Sequence, residues 1–448
     1  MRQILWFRRD LRINDNAILS STFDEVLPIF IFDEKILSSL NKDDKRVTFI
    51  YESVLALKKQ LKQKGLDLAI FYGNPIEIFT KLQKEGFDEV LCSVDFDYYS
   101  KKRDKEIEEI LPMKRFCDSW ILKPWQVYKK DGTPYKMFTP FYKSLDFIWQ
   151  SKSLEEFSFN TNLKLINFDY SCNISLEDMG FKKEVLPEFL KKDANKLIEE
   201  FSKSINSYVK DRDFFNKEST SMLSVHLRFG LISARELFNK IKELNTNEGD
   251  AYIRQLFWRE FYNYILYHFP MSQFENFKKL NVPWNENEDD FLAWCEGNTG
   301  VPIIDASMRE FNKTGMMHNR LRMIVSSYLT KNLLINWKKG ERYFASKLLD
   351  YEASSNIGSW QWAASTGVDS VPYFRIFNPY LQSAKFDKEA VFIKSVIKEL
   401  ENIDAKTLHK EGAVQENLFV DYPKQIVSIS FSRQRTIDTF KRLQNEKD

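Results

Sequence analysis

Histidine and cysteine are scarce in this chain of 448 residues, with four of each. The cysteines, Cys92, Cys117, Cys172 and Cys295, are scattered without CxxC spacing, which excludes the common zinc patterns. They read as buried free thiols of a reducing compartment, and no metal site is expected. Charge of one sign is not in excess: 66 Lys and Arg against 64 Asp and Glu give a net charge of +2. Any binding to nucleic acid must therefore come from a local patch. No run approaches the ~18 apolar residues of a membrane span. Charges arrive at Arg2, Arg8, Arg9 and Asp10, before any apolar run adequate for a signal peptide. The expected location is the cytoplasm. No GxGxxG follows a strand-like run, so a Rossmann-type dinucleotide site is not supported. Internal repeats and low-complexity tracts are also missing.

What is abundant is aromatic: 38 Phe, 19 Tyr and 10 Trp. Most of these fit an ordinary Phe-rich core. The first 120 or so residues alternate apolar runs with amphipathic segments. "QILWF" (3–7), "VLPIFIF" (26–32), "LDLAIFYG" (66–73) and "EVLCSVD" (89–95) read as buried strands. Between them, 46–65 and 74–86 carry helical periodicity and end in glycine. This alternation predicts a doubly wound parallel sheet over residues 1–130. Periodicity weakens over 131–207, which reads as a long linker. From Tyr208 helical patterns dominate, so 208–448 is expected to be an all-helical domain.

Four segments carry candidate chemistry. In "AYIRQLFWREFYNYILYHF" (251–269), Gln255, Trp258, Arg259 and Tyr262 share one helical face. An amide, an indole and a guanidinium together suit a flat, polar-edged ligand; a solvated polar face is the alternative. In "GMMHNRLRMIVSSYLTKNLL" (315–334), Asn319, Arg322, Met323 and Ser326 share a face. Arg309, Lys313, Arg320 and Arg322 concentrate charge near its start, suited to phosphates or simply solvated. "LLDYEASSNIGSWQWAASTG" (348–367) places Asp350 and Glu352 before Asn356, Trp360 and Trp362, and Asp350 is a candidate partner for Arg322. Finally, Thr220, Ser221 and Ser224 stand at the expected start of a helix, where hydroxyls and free N–H groups make a pyrophosphate seat.

Together with "LWFRRDLRINDNAIL" (5–19), "YKMFTPFYK", "GVPIIDASMRE", "WQWAASTGVDSVPYFRIFNP" and "DYPKQIV", these segments resemble the photolyase/cryptochrome family, collinearly from residue 5 to about 427. The nearest subgroup is the microbial class I cyclobutane pyrimidine dimer photolyases. The resemblance implies an N-terminal α/β antenna domain and a C-terminal helical domain holding folded FAD. Trp360 is then the indole nearest the flavin, with Trp337 and Trp284 relaying electrons to the surface. Tyr208, Thr220, Ser221, Met222, Leu223 and Ser224 hold phosphates and ribitol. Arg259, Arg322, Asp350 and Glu352 surround the adenine and isoalloxazine, and Asn356 faces flavin N5. Trp258 stacks on a flipped dimer, Asn319 and Met323 line its pocket with Gln255, and Arg212, Arg320, Trp362 and Gln382 lie against DNA. The implied partner is UV-damaged DNA, met by a monomer without a membrane.

Two departures qualify the resemblance. Gln255 stands where class I enzymes usually have Glu; Gln is also familiar in (6-4) photolyases, but those have histidines where this chain has Asn319 and Met323. The folate-binding pairs of the family are replaced by Tyr99-Ser100 and Gln273-Phe274. "DFDYYSKKRD" (95–104) is nearer the deazaflavin subgroup's DxEPY, with Asp97 and Tyr98 in place of Glu and Pro. A deazaflavin or flavin antenna is expected over folate, or none. The implied function is light-driven repair of cyclobutane dimers. A cryptochrome-like photosensor and a (6-4) photolyase are the alternatives; Asn356 and the short chain beyond the closing helix argue against the first, Asn319 and Met323 against the second.

Overall fold

The computed structural model describes residues 1–21, 25–171, 173–417 and 420–445. Cys172 lies outside them. The chain divides into two compact units, one comprising Met1–Asn206 with Ser221–Pro270, the other Ser207–Thr220 with Met271–Asp448. Residues 221–270, grouped by sequence with the helical domain, thus cluster with the N-terminal unit.

The first unit is built on a parallel sheet of β1 (Arg2–Phe7), β2 (Glu25–Asp33), β3 (Ala69–Gly73), β4 (Glu89–Ser93), β5 (Met113–Phe116) and β6 (Lys164–Leu165). Strand order is β3-β2-β1-β4-β5, with β6 paired to β2. Strands β1, β2 and β4 are buried on both faces, which is why they read as continuous apolar runs. β5 ("MKRF") is a half-exposed end strand and β6 has two residues, so neither leaves an apolar run to recognise. Helices α1 (Lys45–Gln63) and α2 (Pro75–Lys84) stop two residues before Gly65 and Gly86, both at positive φ. α3 (Tyr98–Glu108) follows β4.

The stretch 131–207 is more ordered than its weak periodicity implies. It holds the short helix α4 (Phe138–Lys143) and α5 (Ala194–Ser204), which buries Leu197, Ile198 and Phe201. The unit is completed by α6 (Ser224–Phe229), α7 (Ala234–Glu243) and α8 (Asn247–His268). Gly230 ends α6 at φ +67, and a Cβ there would lie 2.0 Å from the Arg9 carbonyl oxygen. The "RRDLRINDN" segment is held by buried ion pairs: Arg12 with Asp118 at 2.8 Å, and Arg235 with Asp118 and Asp15 at 2.6 and 3.0 Å.

The second unit contains no β-strand among its described residues beyond the isolated bridge Asn285–Ile335. Its helices include α9 (Glu288–Glu296), α10 (Pro302–Thr314), α11 (Asn319–Ser327), α12 (Trp337–Lys347), α13 (Ala353–Ala363), α14 (Pro379–Phe386) and α15 (Ile429–Asn445). α11 starts four residues later than the periodicity suggests, because Gly315 ends α10 at φ +72. One core runs through this unit and includes Trp294, Trp337 and Trp360. No helix of the described residues is long and apolar enough to cross a membrane. Cys92 and Cys295 are buried free thiols, pushed up to about 11 and about 12 by desolvation, while Cys117 is only half-buried.

Candidate functional site

The candidate residues fall into two sets. In the first unit, α8 is started by Thr246, whose side chain accepts from the Gly249 N–H. Gln255 is half-buried and donates to the Ala251 carbonyl at 3.4 Å. Trp258 lies face to face with Phe138 of α4, ring centroids 3.7 Å apart and planes 10° apart. Arg259 is turned inward: Nη1 donates to the Ser119 carbonyl at 2.9 Å, and its guanidinium covers Trp120 at 4.1 Å. Next to it, buried Glu260 accepts the Ile121 and Leu122 N–H groups, and burial raises its pKa. Ser221 Oγ bonds Tyr252 Oη at 2.8 Å. Met222 is exposed at φ +54, Leu223 is buried, and exposed Ser224 opens α6, whose N-cap position, Leu223, supplies no side-chain acceptor.

In the second unit, Tyr208 is buried beneath the Arg212 guanidinium, 5.4 Å from its ring centroid. Thr220 is half-buried. The basic cluster seen in sequence is dispersed into pairs. Arg309 meets Glu399, Arg320 meets Asp213 at 2.7 Å, and Arg322 meets Asp350 at 2.8 Å. Arg322 also donates from Nε to the Met317 carbonyl at 2.8 Å, leaving Nη1 without a partner among the described residues. Asn319 is exposed, and its Nδ2 sits 3.8 Å from Met323 Sδ. His318 between helices is committed as the N-cap of α11, its Nδ1 accepting from the Arg320 N–H.

α13 carries the "NIGSWQW" run. Glu352 is its half-buried N-cap residue. Asn356 donates through Nδ2 to Glu341 Oε1 of α12 at 3.0 Å, so its carbonyl oxygen is the end left to a ligand. Burial raises the Glu341 pKa. Trp360 is buried against α12 at Gly340, where a Cβ would come within 2.3 Å of the indole. Its ring neighbours are Phe344 and Trp294, edge-on at 5.1 and 6.0 Å. Trp337 is buried and donates from Nε1 to Asn276 at 2.7 Å, and Trp284 is half-buried against the same core. Gln361 clamps the run by donating to Ser272 and Glu275 carbonyls at 2.7 and 3.1 Å and accepting the Phe277 N–H. Fully buried Lys331 closes the end of α13 on Ser365 Oγ and the Ala364 carbonyl at 2.7 and 3.2 Å, and desolvation pushes its pKa down to about 7. Trp362 is half-buried, and Gln382 lines a cavity of about 330 Å³ with Ile376, Phe377, Leu381 and Arg433.

The residues of this unit fit a flavin nucleotide. Ser354 Oγ, two residues before Asn356, is buried with no hydrogen-bond partner. With the Asn356 carbonyl and the unengaged Arg322 Nη1, it offers complementary donors and acceptors that the protein leaves unused. Phe138, Glu341, Gln361, Lys331 and Trp294 went unrecognised in the sequence. Phe138, Gln361 and Lys331 fall within quoted segments, in "YKMFTPFYK", 348–367 and 315–334, but none carries a local signal of its own.

Comparison with known proteins shows the family of the chain. Residues 3–157 match the family model described as DNA photolyase, and residues 252–442 match the FAD binding domain of DNA photolyase. The deoxyribodipyrimidine photo-lyase of Alkalihalophilus pseudofirmus is 34% identical over 485 residues, covering 98% of this chain and 97% of the relative. That of Escherichia coli is 33% identical, covering 98% of each. An archaeal photolyase structure from Sulfolobus tokodaii, with two FAD molecules, aligns with a TM-score of 0.86 at 31% identity over 99% of this chain and 100% of that one. A bacterial class III photolyase from Agrobacterium tumefaciens gives 0.85 at 30% identity, covering 99% and 98%. From the sheet to the tryptophan-bearing helix α13, the chain belongs to the DNA photolyase family.

Proposed function

We propose that the chain is a deoxyribodipyrimidine photo-lyase that splits cyclobutane pyrimidine dimers in DNA under blue light. The observation that carries the substrate is the Asn319–Met323 contact on α11. Neither side chain can deliver a proton, and the neighbouring His318 caps α11 through Nδ1 while burial lowers its pKa, which disfavours the charged imidazolium an acid step would draw on. That set suits ring splitting by electron transfer rather than a lesion that needs an acid.

Bound in its reduced form, FAD supplies the light-driven electron, which returns after the two C–C bonds break, so the reaction has no net redox change. Tyr208, Thr220, Ser221, Met222, Leu223 and Ser224 hold its phosphates and ribitol, and Arg322, Asp350 and Glu352 its ring portions. Asn356 presents a carbonyl oxygen to N5 because Glu341 takes its N–H. That carbonyl oxygen would accept the N5–H of a reduced flavin, and the amide has no carboxyl proton of its own to give. The contacts of Arg259 with Ser119 and Trp120 support a role in holding α8 rather than in touching the flavin. Trp360, Trp337 and Trp284 carry electrons inward from solvent. Base-flipping enzymes, photolyases among them, expend a few kcal/mol on extrusion. Stacking on Trp258 returns ~1–3 kcal/mol per base, while Gln255 hydrogen-bonds a base edge. Arg212, Arg320, Trp362 and Gln382 meet the DNA.

The protein acts as a cytoplasmic monomer. Its second chromophore is a deazaflavin or flavin, or is absent. The test is blue-light repair of DNA carrying cyclobutane dimers, against DNA carrying (6-4) lesions. The expected result is repair of the first alone; repair of the second alone overturns the substrate assignment.

A further inference from the structure

Trp258 does not stand alone in the first unit. Behind it runs a column of rings: Phe138 at 3.7 Å, then Tyr142 stacked on Phe138 at 5.6 Å, then Trp149 stacked on Tyr142 at 5.0 Å. The planes differ by only 10°, 20° and 8° in turn. Phe138 and Tyr142 are four residues apart on α4, so one helical turn supplies both rings. The far end is fixed by the Trp149 Nε1–H, which donates to the Tyr142 carbonyl at 2.9 Å. Phe138 therefore occupies one face of the Trp258 indole and leaves a stacking ligand only the other.

Arg254 lies four residues before Trp258 on α8 and is exposed. Its guanidinium rests over the same column, 5.5 Å from the Phe138 centroid and 5.4 Å from that of Tyr142. Asp250, the carboxylate one turn before it, is paired with Lys242 at 2.6 Å. Among the described residues Arg254 has no hydrogen-bond or ion-pair partner. The cation is thus pre-positioned by rings rather than neutralised by a carboxylate, and its donors are unspent. Arg320, by contrast, has to leave Asp213 before it can meet a phosphate.

We propose that Arg254 binds a backbone phosphate beside the base that stacks on Trp258, and that the Phe138–Tyr142 column holds both side chains for that purpose. A nucleotide presents a π-face and an anionic phosphate a few ångströms apart, and residues one helical turn apart match that spacing. The inference rests on the reading that Trp258 stacks on a dimer in DNA.

The test is fluorescence anisotropy of the full-length, FAD-loaded protein with dimer-containing and undamaged duplexes, as a function of KCl. Arg254→Gln should reduce the slope of log Kobs against log salt by about 0.9, the loss of one phosphate, and leave the preference for damaged DNA intact. Tyr142→Leu should weaken binding to both duplexes, and Tyr142→Phe, which keeps the ring, should restore it. An unchanged slope in Arg254→Gln, with wild-type preference for the dimer intact, overturns this inference alone. Equal affinity of the wild-type protein for both duplexes overturns the stacking reading and this inference with it.

Discussion

Trp258 and Trp360 sit in opposite kinds of aromatic surroundings. Trp258 is half-buried, stacked flat on Phe138, with a cation over the rings behind it. Trp360 is 3% exposed, touched edge-on by Phe344 and Trp294, and pressed against a glycine backbone. A half-buried indole already held in a flat stack adds another flat ring at little cost in order, as a substrate-binding platform requires. A tryptophan enclosed by rings and backbone keeps its position and excludes water, which suits an electron carrier. The polar groups around each follow the same division. Arg254 near Trp258 is unspent, whereas Gln361 and Lys331 near Trp360 are fully committed to fixing the chain.

The enclosure of Trp360 is the part most sharply exposed to test. Gly340→Ala puts a methyl 2.3 Å from the indole and 2.6 Å from Leu329 Cδ2, with no room on either side. Overpacking of this kind costs ~1–3 kcal/mol, and clashes with two buried side chains at once place this site at the upper end. Chemical denaturation should show a lower midpoint with an unchanged slope. Wild-type stability in that variant means the packing of Trp360 is looser than described.

Substitution of Trp258 should change recognition rather than folding. Trp258→Ala should lose ~1–3 kcal/mol of preference for dimer-containing over undamaged DNA, the worth of one stacked base, with its salt slope unchanged. Equal loss toward both DNAs assigns the indole to general affinity, and the contrast with Trp360 then fails.

Lys331 sharpens the same contrast through pH. Its folded pKa is about 7, below the ordinary 10.5, because burial beside Lys278 disfavours the charge. Between those values the unfolded chain binds the proton and the folded chain does not, so stability rises with pH across this window. Below pH 7 both states hold the proton and the amine is carried as a buried cation. Lys331→Met should flatten the wild-type rise by up to ~1.4 kcal/mol per pH unit between pH 7 and 10. Identical slopes in the two proteins remove Lys331 as the cause.

The sheet was legible because β1, β2 and β4 are buried on both faces and spell uninterrupted apolar runs. β5 escaped because a half-exposed end strand needs no such run. The faces of α8 and α11 were legible from helical spacing, and so was the pairing of Arg322 with Asp350 as a charge requirement. Phe138 and Trp258 are 120 positions apart, and no local pattern links them. Glu341, Gln361 and Lys331 are single polar residues inside a core, where periodicity carries no signal and only the packed structure shows what each one satisfies. The partners of Arg309 and Arg320, Glu399 and Asp213, were not legible for the same reason, since both come from distant segments.

The division of labour between the two tryptophans is tested most directly by one assay run twice on Trp360→Phe. Blue light is given first to enzyme carrying oxidised FAD, then to enzyme reduced chemically beforehand, with the yield of split dimers measured each time. The account predicts that photoreduction is lost in the first case, while the pre-reduced variant repairs dimers at the wild-type yield. Loss of repair in the pre-reduced variant, with its FAD content intact, contradicts it.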